Sequence, residues 1–210
     1  DVVGWAWYQK GKQLQQLMPE DIEIELRQLY TNYDHREYDY VLIFDAYLLE
    51  RWECDVPKEK LIVGCSNERM ITETVEIVKY GDFRAGFVNN LPAYEKVIDQ
   101  SNFYCCQNGV DADLFFPANV KPNEFAACWV GNSQGRAEKG TDIIEQACLI
   151  SQTKLYLLDR IADEKLETRK LYTPDEVRDK VYHQASVYIC ASQYEGTPNP
   201  ALEALACGLP

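Results

Sequence analysis

Histidine is scarce in this chain: of 210 residues only His35 and His183 carry an imidazole. Neither lies beside a cysteine cluster, which argues against a zinc site. With only two histidines to supply a catalytic base, a serine hydrolase is not expected either. No Gly-x-Gly-x-x-Gly follows the first apolar run, so the sequence does not read as a plain dinucleotide-binding domain. No stretch approaches the roughly 18 consecutive apolar residues that a membrane-spanning helix needs. The opening DVVGWAWYQK lacks the basic start and apolar run of a secretion signal. Basic residues are also few. Lys and Arg number 21 against 34 Asp and Glu, for a net charge of −13. Residues 1–118 hold 11 basic against 21 acidic groups, and the remainder 10 against 13. A surface this acidic repels nucleic acid and anionic headgroups, so no nucleic-acid partner is expected. Any phosphate must be met by a few local cations and backbone amides. The eight cysteines form no Cys-x-x-Cys pair and sit mostly in apolar runs such as FYCCQ, FAACWV and VYICAS. They read as buried, reduced thiols in a cytoplasmic protein.

What is present is an alternation of short apolar runs with helical patterns. VVGWAW (2–7), YVLIF (40–44), LIVGC (61–65), AGFVN (85–89) and NFYCC (102–106) read as strands. KQLQQLM (12–18), the spacing of Ile71, Val75 and Val78, and PAYEKVI read as helices. The pattern recurs in FAACWV (125–130), KLYLLD (154–159) and SVYICA (186–191). Between these runs, Ile143, Ile144, Ala147 and Cys148 share a helix face, and Thr173-Pro-Asp-Glu176 forms a capping box before Val177 and Val181. Pro200 to Cys207 closes with a short helix stopped by Gly208 and Pro210. Strand–helix alternation predicts an α/β fold with open, mostly parallel sheets. The turn-rich NGVDADLFFPANVKPN marks a domain boundary, giving domains 1–118 and 119–210. The chain begins at Asp1 without Met and stops at Pro210, so it is expected to be part of a longer protein.

Two segments carry candidate chemistry. In SQYEGTPNPALEALACGLP (192–210), Glu195 and Glu203 flank a Gly-Thr-Pro-Asn-Pro loop that runs into a helix. A strand end, a small-residue loop and a helix start present free amides and the positive end of the helix dipole to an anion. Pro198 and Pro200 have no N–H, so Gly196, Thr197, Asn199 and Ala201 must supply the amides. A carboxylate there can accept two hydrogen bonds from a vicinal diol. Spacing alone leaves open an ordinary loop with solvated glutamates. In WVGNSQGRAEKGTD (129–142), a buried strand runs into a glycine-containing loop, where Lys139 and Arg136 can neutralise a phosphate that backbone amides cradle. A solvated Lys139 is the plainer alternative. Both segments lie at the carboxyl ends of predicted strands, where open sheets bind ligands. His35 reads as a surface residue and His183 as the end of a helix. Trp5 and Trp7 read as core, Asn89-Asn90 as a turn, and Asp45 as a residue just past a strand end.

These segments resemble the retaining GT-B glycosyltransferases of glycosyl transferases group 1 (family four in the usual sugar-enzyme classification). NGVDADLFFP (108–117) is similar to that family's domain-linker motif, VGNSQGRAEKG (130–140) to its first C-terminal strand and phosphate loop, and SQYEGTPNPALEALACGLP to its two-glutamate signature. The resemblance covers residues 84–210. It implies two Rossmann-like domains, the second one incomplete, and transfer of a sugar from a nucleoside-diphosphate sugar to an acceptor hydroxyl with retention. It further implies no metal and no cofactor beyond the donor itself. Carried over, Lys139 meets the diphosphate, Glu195 and the loop of Gly196, Thr197 and Asn199 hold the sugar, and Glu203 binds the ribose. Gly131, Asn132 and Arg136 line the phosphate loop. Where the family has an arginine after the strand glycine, this chain has Asn132, and Arg136 is the substitute cation. The stretch between KLYLLD and YTPDEV is short for the family. The implied partners are a nucleotide-sugar donor and a carbohydrate or glycoconjugate acceptor. A non-catalytic chain that only binds a nucleotide sugar or a partner, and a nucleotide-sugar epimerase, are the alternatives.

Overall fold

A computed structural model describes residues 6–28, 31, 33–46, 48–51, 55–65, 81–99, 101–120, 122–133, 135–159 and 172–210. The chain divides into two compact units, Asp1–Gln107 and Asn108–Pro210. In the first, helix α1 (Ala6–Leu17) is followed by strand β1 (Val41–Ile43), helix α2 (Leu48–Arg51), strand β2 (Leu61–Cys65), strand β3 (Ala85–Val88), helix α3 (Leu91–Glu95) and strand β4 (Phe103–Cys105). The sheet order is β1-β2-β3-β4, with every neighbouring pair parallel. Parallel strands need a crossover, and β3–α3–β4 supplies one in full. Asn90 caps α3 by accepting the Ala93 N–H at 2.9 Å, and Pro92 fits the first turn because it has no N–H to lose. Leu61, Val63, Cys65, Val88 and Phe103 from the strands pack with Ala93 and Val97 into one core.

The opening strand expected for VVGWAW is not found where it can be seen. Residues 2–5 lie outside the described residues, and Ala6 and Trp7 already belong to α1. The WAW alternation is too short to fix a strand. Gly11 sits inside this helix against Leu26, whose Cδ2 would stand 2.6 Å from an added Cβ. The helix expected around Ile71, Val75 and Val78 lies outside the described residues, as does the stretch from 160 to 171.

The second unit contains strand β5 (Ala126–Gly131), helix α4 (Thr141–Ile150), strand β6 (Lys154–Asp159), helix α5 (Pro174–Lys180), strand β7 (Val187–Tyr188) and helix α6 (Asn199–Ala206). The sheet is parallel in the order β6-β5-β7. Central β5 is apolar throughout because both of its faces are covered, as parallel strands require. Its period of two sends Cys128 and Val130 to a core with Val177, Val181, Tyr182 and Ala204. Ala127 and Trp129 face Ile144 and Cys148 of α4. The buried stripe of α4 is narrower than expected. Ile144 and Cys148 are buried, but Ile143 is 56% exposed and Ala147 is also exposed, because positions i and i+4 share one line and their neighbours turn about 100° away. The capping box of α5 forms as read, with Thr173 and Glu176 bonding each other's backbone N–H. SVYICA contributes only Val187 and Tyr188 to the ladder, with a last bond from the Ile189 N–H to the Cys128 carbonyl at 3.0 Å. The thiols divide likewise. Cys65, Cys128, Cys148 and Cys207 are buried, whereas Cys106 and Cys190 are exposed, contrary to the expectation of general burial; Cys54 lies outside the described residues.

Candidate functional site

The second unit gathers its polar groups at the carboxyl end of β5. Gly131 ends the strand where an added Cβ would meet the Trp129 indole at 2.6 Å, so a glycine lets the chain pass over the ring. Asn132 and Ser133 follow, half-buried. A tight turn then forms over Ala137–Lys139, with the Lys139 N–H donating to the Arg136 carbonyl and the Gly140 N–H to Ala137, both at 3.0 Å. Gly140 is left-handed (φ 64°), and a Cβ there would stand 2.5 Å from the Ala191 carbonyl oxygen. Glycine alone satisfies both conditions, and it swings the chain from the turn into α4. The Gln193 N–H donates to the Glu138 carbonyl at 2.8 Å, tying this turn to the segment that leaves β7.

That tie carries Lys139 to Glu195. Their side chains form an ion pair across 56 residues of sequence, with the lysine 13% and the glutamate 25% exposed. Two residues singled out on separate motifs thus meet in one half-buried spot. Arg136 does not join them. It lies on the surface, 46% exposed and 3.4 Å from Glu138. Lys139 is therefore the cation that the turn directs inward.

The loop after Glu195 is shaped by its prolines. Gly196, Thr197 and Asn199 are half-buried around it. The Ala201 N–H is spent on the Pro198 carbonyl at 3.1 Å, so it does not serve as the external donor expected of it. Helix α6 begins at Asn199, one residue earlier than read, which puts Glu203 in the second helical turn. Glu203 accepts a hydrogen bond from the Tyr182 hydroxyl at 2.8 Å. Burial, then the Glu203 charge, push the Tyr182 phenol far above its ordinary range, so it stays protonated and donates.

Two residues that sequence reasoning did not single out shape this site. Tyr182 lies in YHQAS, between a helix and a strand, and has no motif of its own. Asn108 opens the NGVDADLFFP run, and its side-chain amide reaches Thr197 and Asn199. The rest of that run is also anchored within the unit. Phe115 is in the core, Arg178 donates to the Leu114 carbonyl at 2.8 Å, and the Arg178 guanidinium lies 4.6 Å from the Phe116 ring centre. His183 meets the Phe116 carbonyl at 2.7 Å and stands 3.5 Å from Asp179, which gives it a structural task. In the first unit, Asp45 is fully buried and His35 half-buried in a one-turn helix. Among the described residues no group of three His, Cys, Asp or Glu side chains is spaced to hold a metal, and no helix is long and apolar enough to cross a membrane.

Residues 128–210 match the family model described as glycosyl transferases group 1. No curated protein sequence matches the chain. Among solved structures, a mutant of S. aureus TarM in complex with fondaparinux, alpha-GlcNAc-glycerol and UDP is similar, with a TM-score of 0.52 at 13% identity over 71% of this chain and 36% of that one. A second TarM structure gives a TM-score of 0.50 at 14% identity, over 71% and 35%. The chain spans about a third of the length of these structures. At such identities the likeness concerns the fold: α/β, with parallel sheets, of the GT-B type. The family match covers β5 from Cys128 onward, the Lys139 turn, Glu195 and the whole of α6. Residues 128–210 are thus similar to a glycosyl transferases group 1 domain, and the fold is of the GT-B type.

Proposed function

We propose that this chain is part of a glycosyltransferase that moves a sugar from a nucleoside-diphosphate sugar to an acceptor hydroxyl, without a metal and with retention of anomeric configuration. The observation that carries the reading is the meeting of Lys139 and Glu195 where β5 and β7 deliver their loops, ahead of α6.

Breaking the anomeric C–O bond builds negative charge on the departing diphosphate. A fixed ammonium and preset backbone N–H groups lower that barrier most when water is excluded. Lys139, 13% exposed and aimed inward by Gly140, supplies the ammonium. Gly196, Thr197 and Asn199, at the start of α6, supply amides near the positive end of its dipole. Before the donor arrives, Glu195 neutralises Lys139. An arriving diphosphate takes over the lysine and releases Glu195 to accept hydroxyls of the transferred sugar. Glu203, held by Tyr182, accepts the ribose diol. The acceptor is a carbohydrate or glycoconjugate. UDP is the first nucleotide to try, since it accompanies the TarM complex.

The test is incubation with UDP-, GDP- and ADP-sugars and simple glycoside acceptors, following nucleotide release and the anomeric proton coupling of the product. Release that requires acceptor and is lost in Lys139→Ala, with the donor's anomeric configuration kept, supports the proposal. An inverted product refutes retention, and isomerised donor without transfer refutes transferase activity.

A further inference from the structure

Asn108 makes two hydrogen bonds whose chemistry settles the orientation of a third group. Its Nδ2 donates to the Thr197 carbonyl at 3.0 Å and to Asn199 Oδ1 at 2.9 Å. A carbonyl only accepts, so the end of the Asn108 amide facing Thr197 must be its NH2. The same NH2 faces Asn199, which must therefore turn its oxygen toward Asn108. The Asn199 NH2 is left pointing away, with both hydrogens to offer. This matters because the surrounding loop is short of donors: Pro198 and Pro200 have none, and the Ala201 N–H is bound to the Pro198 carbonyl.

We propose that Asn108 is a positioning residue that locks the Asn199 side chain as a hydrogen-bond donor toward an acceptor-only group, a phosphate oxygen of the nucleotide donor. The inference rests on the donor-site reading above and extends it to a residue 91 positions away in sequence. Asn199 touches the ligand, whereas Asn108 acts through Asn199 and through the Thr197 carbonyl. The lock works before ligand arrives, so the loop does not lose amide-rotation entropy on binding.

The experiment is calorimetric titration of the whole chain with UDP and with inorganic diphosphate, on wild type, Asn199→Asp, Asn199→Ala, Asn108→Ala and the double variant N108A/N199A. Asn199→Asp keeps the oxygen that Asn108 needs and replaces the outward NH2 with a carboxylate oxygen. Affinity should fall on the order of 100-fold at neutral pH, through like-charge repulsion at unchanged melting temperature. The deficit should shrink as pH falls to about 5, where the new carboxyl begins to gain a proton. Asn108→Ala should cost roughly 5-fold, and much less in the Asn199→Ala background, because the two residues act in series. A clamp that only stiffened the loop would lose the same factor in both backgrounds. Should Asn108→Ala fail to fold, Asn199→Asp decides alone. Wild-type affinity in Asn199→Asp overturns the inference, as does full additivity of Asn108→Ala and Asn199→Ala. If wild type binds UDP and Lys139→Ala does not, those outcomes refute this inference alone. If wild type binds neither probe, the donor site falls and this inference falls with it.

Discussion

Replacing Glu195 by glutamine should change the affinities of two related ligands in opposite directions. The Lys139–Glu195 pair is mostly shielded, with side chains 13% and 25% exposed, so it is weakly screened by salt. A hydrogen bond to a charged group at such a site contributes about 1.5–3 kcal/mol. A nucleoside diphosphate must displace Glu195 before it can use Lys139. In E195Q the amide oxygen still accepts from Lys139 but carries no charge, so about half of that cost disappears. UDP should then bind roughly four- to tenfold tighter, since about 1.4 kcal/mol is a factor of ten. The sugar conjugate gains the same relief but loses the carboxylate that accepts its hydroxyls, and should bind more weakly than to wild type. Lys139→Met, which keeps the stem and removes the charge, strands Glu195. It should lower stability by about 2 kcal/mol, or roughly 8–16 °C for a unit of about 100 residues. K139M/E195Q should recover most of that stability and none of the binding. Paired titrations with UDP and UDP-sugars, alongside thermal melts, read all of this. Equal shifts for both ligands in E195Q, or no thermal recovery in the double variant, would refute the view that Glu195 holds the phosphate site until ligand arrives.

Gly140→Ala should lower stability by about 1–3 kcal/mol by thermal melt, because the residue is left-handed and its Cβ would press on the Ala191 carbonyl. It should also weaken nucleotide binding, since the Lys139 turn must shift. Tyr182→Phe removes the hydroxyl that holds Glu203. It should weaken binding of UDP several-fold but leave inorganic diphosphate unaffected, as titration with each would reveal. Iodoacetamide at about pH 8, near the ordinary thiol pKa, should label Cys190 and Cys106 in the native protein. Cys128, Cys65 and Cys148 should react only after unfolding, as peptide mass mapping would register. Burial pushes the Cys128 thiol up to about 12 and the Cys207 thiol to about 11, and raises the Tyr182 and Tyr188 phenols too. For raised groups the stabilising contribution is complete below the unfolded pKa, near 8.5 for a thiol, and is lost as pH climbs toward the folded value. The urea midpoint should therefore fall between about pH 8 and about pH 11.

The sheets were legible because their strands are apolar on both faces. LIVGC and FAACWV stand out as unbroken runs, and KLYLLD matches β6 residue for residue. Elements whose identity depends on tertiary partners were not. Ile143 reads as core until the single stripe of α4 that meets the sheet is known. SVYICA has the composition of a longer strand, but its ladder with β5 stops at Tyr188. At the site, Lys139 and Glu195 were visible through their motifs, but their meeting was not. The pairing of Arg136 with Glu138 is a short-range surface contact that no motif signals. Asn108 makes two hydrogen bonds and Tyr182 one to residues distant in sequence, a relation that leaves no local pattern.

The most direct test of the account is calorimetric titration of the chain with UDP, GDP and ADP, repeated on Lys139→Ala and Glu203→Ala. Saturable binding of one nucleotide, abolished by Lys139→Ala and weakened by Glu203→Ala in folded protein, is the predicted result. Binding that both variants retain undiminished would contradict the placement of the donor site at the carboxyl end of β5.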